Sequence, residues 1–453
     1  MTHDIEQADD RPDQTPADDR AGRARGERRY RFLVAGYALS SYGTFLNMVA
    51  LNLFVYETTG RALALGLFMA VRLGSGFVAG LIAGGLLARF CAKSVMLWTN
   101  VAQAAVMLLL VFAPMGMRTA VLTAVSVVVG GCGTLFMVAL RSSIPEMVGE
   151  DRRSWANSLS ITGRSLAMVA GFASAGVVVS LVGYTAAFVV DMATFVVCAV
   201  TVALLPIPGG GGGKDTRPDS EGDSGRGTRK GRWQRPGAFL ASAAAPGLGL
   251  MVVLRSVDAF GSSSHNAALP VHSAALDAAH PAVFVSAFWC LWALGNVAAQ
   301  QVIRQYVERT GRTVGAPGFG YGTCLMSGAF VLAFAGFPWA ATVVIALAAG
   351  AADGLTEVSY TSHLQTLPID LRGHAFGLSA TVENLGFGVG MILVAAALDR
   401  YSPLTVVAWS HGAAVVVAVV FLVRVSGLRR RAGVPAARSG SDRSGAKCDG
   451  QVR

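Results

Sequence analysis

Charged residues are scarce in this chain, at 14% of 453, so those inside apolar runs are where chemistry can be sought. Asp353 and Glu357 are four apart in AAGAADGLTEVSY, and a helix projects both from one face. Two carboxylates so close in a medium of low dielectric repel each other, and a proton held by one relieves the repulsion. Such a pair could take a proton on one side of a barrier and release it on the other. The alternative sets Asp353 at a lipid–water boundary and pairs Glu357 with a base. Arg255 and Asp258, three apart, could satisfy each other. Arg72, Arg164, Asp191 and Glu383 also interrupt apolar runs. Charges placed there cost a few kcal/mol or more in a bilayer, so they face a cavity or a partner. Asn47, Asn52, Asn100, Gln103, Asn296 and Gln300 are the polar candidates for a cavity wall, with helix-to-helix packing bonds as their other use.

Such residues need elements to hold them, and composition says which. With 53% hydrophobic residues and a mean hydropathy of +0.52, the chain is too apolar for a soluble fold. Its apolar runs are near the length at which a helix crosses a bilayer. Punctuation by charge, Pro and Gly predicts twelve spans, at 32–56, 62–87, 95–113, 119–140, 155–180, 183–205, 240–262, 281–302, 316–336, 339–363, 375–398 and 402–425. If both termini are cytoplasmic, only Arg61, Arg118 and Arg400 of the 37 Lys and Arg fall in outer loops, as the positive-inside rule requires. That asymmetry also accounts for the net charge of +10, so no nucleic-acid partner is expected. No apolar core precedes Phe32, so no cleavable signal is expected. The six cysteines form no CxxC pair, and His265, His272 and His280, read as an outer loop after span 7, match no zinc spacing. Neither a metal nor another cofactor is expected.

The predicted organisation is an arm at 1–31, a six-helix bundle at 32–205, a linker at 206–239, a second six-helix bundle at 240–425 and a tail at 426–453. Gly209 to Gly213 and mixed charge mark the linker as unable to bury a core, and arm and tail have a similar composition. Their basic residues suit anionic lipid headgroups. The halves repeat: ANSLSITGRSLAMVAG at 156–171 overlies AFGLSATVENLGFGVG at 375–390 without a gap, with Ala156, Leu159, Ser160, Thr162, Leu166 and Gly171 identical. The fold expected is an all-α membrane protein of twelve transmembrane helices in two pseudo-symmetric bundles. The same offset sets Arg164 opposite Glu383 at equal depth, and a bridge from Arg164 to Glu383 or Glu357 could gate the cytoplasmic half.

YETTGRALALGLFMAVRL at 56–73, GGLLARFCAKSVML at 84–97, RSSIPEMVGEDRRSWANSLSITG at 141–163, GYTAAFVVDMATF at 183–195 and LPIDLRGHAFGL at 367–378 resemble the major facilitator superfamily, and within it the drug:proton antiporter branch with its macrolide and siderophore exporters. The resemblance implies alternating access between two bundles and export of a hydrophobic or amphipathic small molecule across the plasma membrane in exchange for protons, by a monomer. It places Arg72 and Asp191 at positions where the family often carries the same residues, as an ion pair or as substrate contacts. It makes Gly84, Arg89 and Lys93 the remains of the loop motif after span 2, with Ala88 where the family has an acid and Ala92 where it has a base. Phe172 follows Gly171 where the antiporters carry Pro. Proton-coupled uptake is the alternative direction. A non-transporting enzyme or sensor finds no support in a P-loop, an HExxH or a Ser/His/Asp set.

Overall fold

The structure, a computed structural model, describes residues 16–149, 152–206, 248–311, 314–367 and 369–431. Twelve α-helices account for almost all of them: α1 Pro16–Thr59, α2 Ala62–Arg89, α3 Ala92–Val111, α4 Arg118–Val148, α5 Arg153–Val182, α6 Tyr184–Leu204, α7 Leu248–Leu276, α8 Pro281–Thr310, α9 Gly315–Ala333, α10 Trp339–Gln365, α11 Ile369–Leu398 and α12 Pro403–Arg431. By length and composition ten of these can cross a membrane. The other two are α7, diluted by Arg255, Asp258 and a run of Ser, His and Asn, and α9, diluted by glycine. Neighbouring helices bury several of their polar residues, among them Ser263, Ser264, His265, Thr323 and Ser327.

Packing repeats between the halves. α1 packs on α5 and α6, α2 on α4, and α3 on α4 and α6; α7 packs on α11 and α12, α8 on α10, and α9 on α10 and α12. The repeated glycine explains one such contact. A Cβ on Gly171 would stand 2.8 Å from Phe45 Cβ of α1, and one on Gly390 would stand 3.0 Å from Ser263 Cβ of α7. Small residues at these crossings let two backbones approach, which is how helices associate where lipid removes the hydrophobic drive.

The core has a shape of its own. One large apolar cluster joins both bundles at the end away from the chain termini, called here the distal end; at the terminal end it gives way to two separate clusters, one per bundle. Bonds between bundles follow the same division. Gly176 N of α5 donates to Ser286 Oγ of α8 at 2.7 Å, Ser286 Oγ donates to the Phe172 carbonyl, and Ala62 N of α2 donates to Asp399 Oδ1 at 3.1 Å, all near the distal end. Phe172 stacks on Trp289 with centroids 5.8 Å apart. The bundles are thus closed distally and parted at the terminal end, where a Cβ on Gly84, Gly85 or Gly377 would meet open space.

Several boundaries differ from the sequence reading, three of them with consequences for the arm, the tail and the histidines. α1 begins at Pro16, inside the expected arm, because Tyr30 bonds Ser160 Oγ at 2.7 Å and Glu27 pairs with Arg152 at 2.8 Å, tying that segment to α5 and its approach. α12 continues to Arg431, into the expected tail. α7 runs to Leu276, so His265 and His272 lie within a helix and only His280 remains in the loop; their polarity suggests a loop to a hydropathy reading, yet neighbouring helices cover it. The linker beyond residue 206 lies outside the described residues.

Candidate functional site

The ionisable residues of the second bundle converge on one guanidinium. Arg255 of α7 places Nη2 2.8 Å from Glu357 Oε2 of α10 and 3.0 Å from Glu383 Oε1 of α11, while its Nε donates to Glu383 Oε2 at 3.2 Å. Asp258 Oδ2 lies 3.9 Å from Nη1. The Tyr360 ring packs 5.0 Å from Arg255 Cζ, a cation–π contact. Arg255 and Asp258 do not satisfy each other alone, contrary to what their spacing suggests. Arg255 is nearly enclosed, with its side chain 11% exposed, whereas Glu357 and Glu383 are 50% and 42% exposed toward the terminal end.

Backbone contacts set this geometry. A Cβ on Gly386 would stand 3.0 Å from the Ser256 carbonyl carbon, so the glycine lets α11 press against α7 beside Arg255. Gly350 and Gly354 of α10 do the same against α8: their Cβ atoms would stand 2.7 Å from the Trp292 carbonyl carbon and 2.8 Å from the Asn296 oxygen. That approach brings Asn296 to Asp353. Asn296 Nδ2 donates to Asp353 Oδ2 at 2.7 Å, and Gln300 Nε2 donates to Asn296 Oδ1 at 2.6 Å. Asp353 and Glu357 thus share a helix face but hold different partners, the Asn296 amide for one and a guanidinium for the other. Four carboxylates surround or approach a single cation, and a proton or a cationic solute is the chemistry that balances such an excess.

The first bundle is arranged differently. Asp191 of α6 accepts a hydrogen bond from Asn47 Nδ2 of α1 at 2.6 Å, and Gly43 makes room for this crossing, since its Cβ would stand 2.8 Å from Asp191 Oδ1. Arg72 has no carboxylate within ion-pair distance among the described residues. Of the two readings for Arg72 and Asp191, ion pair or substrate contacts, the structure shows Asp191 bonded to Asn47, since α1 packs on α6 and α2 does not. Arg164 of α5 is exposed; its Nη1 donates to Tyr37 Oη at 3.4 Å, and its Cζ lies 5.1 Å from the Phe45 ring. It stays within its own bundle here, with Glu357 and Glu383 both taken by Arg255.

The polar candidates divide. Asn100 and Gln103 are buried and turn back to their own helix, donating to the Met96 and Thr99 carbonyls at 2.7 and 3.1 Å. Asn52 is buried with Oδ1 unpartnered. Asn296 and Gln300 join the Asp353 site. Of the loop motif, Lys93 Nζ donates to the Ala203 and Leu205 carbonyls at 2.9 and 2.7 Å, closing the C-terminus of α6 as a cation suits a helix end, while Arg89 is exposed. Among the described residues no group of three His, Cys, Asp or Glu is disposed to hold a metal.

Comparison with curated proteins gives no match. Solved structures of like fold include the POT family transporter PepTSo, with a TM-score of 0.64 at 14% identity over 89% of this chain and 99% of that one. The nucleoside transporter NupG gives 0.62 at 14% identity over 88% and 99%. A POT family transporter in complex with a thioalcohol conjugated peptide gives 0.66 at 11% identity over 88% and 96%. The family profile of the Major Facilitator Superfamily matches residues 33–391, so the chain belongs to that superfamily of membrane transporters.

Proposed function

We propose that this transporter exports a hydrophobic or amphipathic small molecule, of the antibiotic, drug or secondary-metabolite class, in exchange for protons. On this reading the protein lies in the plasma membrane with its terminal end in the cytoplasm, which the bias of Lys and Arg toward that end supports. The observation that carries the reading is the excess of carboxylates over cations at mid-depth of the second bundle, open to the terminal end: Asp353 on its amide pair, and Asp258, Glu357 and Glu383 on Arg255. Asp353 and Glu357 are the proton acceptors on this reading, and the solute occupies the gap between the bundles. Closing the terminal end draws Arg164 toward Glu383 and Glu357, which exchange Arg255 for a partner in the other bundle and so couple the charge state of the site to its access.

Everted membrane vesicles energised by respiration test this with labelled erythromycin and labelled tetraphenylphosphonium as probes. Export appears as accumulation inside the vesicles that collapses when nigericin removes the pH gradient. Full proton-driven accumulation by an Asp353→Asn, Glu357→Gln double variant would refute the role of these two residues. Proton-coupled uptake is the second reading, since solved peptide and nucleoside transporters share the fold; gradient-driven depletion of the vesicles in place of accumulation would select it.

A further inference from the structure

Along α7 a titratable residue recurs every seven positions: Asp258, His265 and His272. Seven residues make nearly two full helical turns, so the three stand on one face at steps of about 10 Å. Asp258 belongs to the carboxylate cluster; the histidines do not. His265 is 5% exposed and His411 of α12 fully buried. His265 Nδ1 lies 3.2 Å from His411 Nε2, and His411 Nδ1 lies 3.1 Å from Ser327 Oγ of α9. Phe330 stacks on His265 at 3.5 Å between centroids, and Trp289 of α8 lies 5.8 Å away. In each of these bonds one atom carries the hydrogen and the other accepts it, so a proton added at one end of the string can leave at the other as every bond reverses.

The string has continuations on both sides. Toward mid-depth, Thr323 lies one turn from Ser327 and is fully buried. Thr323 Oγ1 and Asp258 Oδ1 are both buried without a hydrogen-bond partner. Toward the distal end, His272 packs against Phe284 and Phe334. Pro270, between the two histidines, lacks the N–H that would bond the Asn266 carbonyl. The groups that meet the histidine pair from α8 and α9 are Trp289, Phe330 and Ser327, none of which ionises; the charges at the inner end of the line are Asp258, Arg255, Glu357, Glu383 and, beyond them, Asp353.

The geometry points to a proton path inside the second bundle, in which His272, the His265–His411 pair, Ser327 and Thr323 connect the distal face to Asp258, apart from the gap between the bundles that a solute would use. It rests on the reading that the carboxylate cluster exchanges protons. Because Glu357 and Glu383 are half-exposed in this conformation, a path completed from the bonded His265–His411–Ser327 string to Asp258 passes protons with no solute present. The full chain in phosphatidylcholine–phosphatidylglycerol liposomes tests this, with pyranine inside, acid outside and valinomycin with potassium clamping the potential. Protein-dependent acidification should exceed that of empty liposomes, and His265→Gln or His411→Gln should slow it by about tenfold. A wild-type rate equal to that of empty liposomes, or an unchanged rate in monodisperse His variants, overturns the path. Should the Gln variants fail to fold, Ser327→Ala removes a single hydroxyl, and an unchanged rate in that variant overturns it equally. No cargo enters this assay, so its failure is separate from a failure of export.

Discussion

Arg255 grips Glu383 through two nitrogens, Nη2 at 3.0 Å and Nε at 3.2 Å, a fork across the α7–α11 contact that lysine cannot reproduce. Arg255→Ala would leave Asp258, Glu357 and Glu383 facing one another. A fully buried broken pair costs about 3–5 kcal/mol; with two of the carboxylates half-exposed, about 1–3 kcal/mol is expected here. Thermal unfolding in detergent measures it, and Arg255→Lys should recover part of the stability without restoring transport.

Asn47, rather than Arg72, is bonded to Asp191. A hydrogen bond to a charged acceptor contributes about 1.5–3 kcal/mol, so Asn47→Leu should lower the melting temperature more than Arg72→Ala does. The reverse order would restore Arg72 as the principal partner.

Close contact between α8 and α10 makes Gly350 intolerant. Gly350→Ala sets a Cβ against the Trp292 carbonyl and should cost about 1–3 kcal/mol, separating Asn296 from Asp353. Gly328→Ala, which points into open space, is the control and should be neutral in the same melting experiment.

Ser286 links the bundles at the distal end with two hydrogen bonds, to Gly176 N and to the Phe172 carbonyl. At about 0.5–1.5 kcal/mol each, their loss in Ser286→Ala should shift the population toward the distally open form by about fivefold or more. Spin labels on the distal ends of α2 and α11 would register the shift as a longer distance.

Charge exchange tests the gate. Arg164→Glu should reduce transport strongly, and adding Glu383→Arg or Glu357→Arg should restore part of it. If neither double variant recovers while both remain folded, the bridge across the terminal end is to be abandoned.

The helices and their repeat were legible because hydropathy and its interruption are local properties, and Gly171 and Gly390 could be matched before either was known to touch a neighbouring helix. Lys93 as a cap on α6 was not legible, since the carbonyls it serves are 110 and 112 residues away. The fate of Asn100 and Gln103 was not legible either, because a span reveals that a residue is within the membrane but not which way it turns.

By itself the sequence determined an all-helical membrane protein in two repeated halves, with carboxylates at mid-depth of the second, because a bilayer demands long apolar helices and makes every buried charge conspicuous. Only the tertiary structure decided the partners. Arg255 meets carboxylates 102 and 128 residues away, and His265 meets His411 across 146 residues. Such meetings depend on how far each helix is rotated and how closely glycines let two backbones approach, and spacing along one helix carries no record of either.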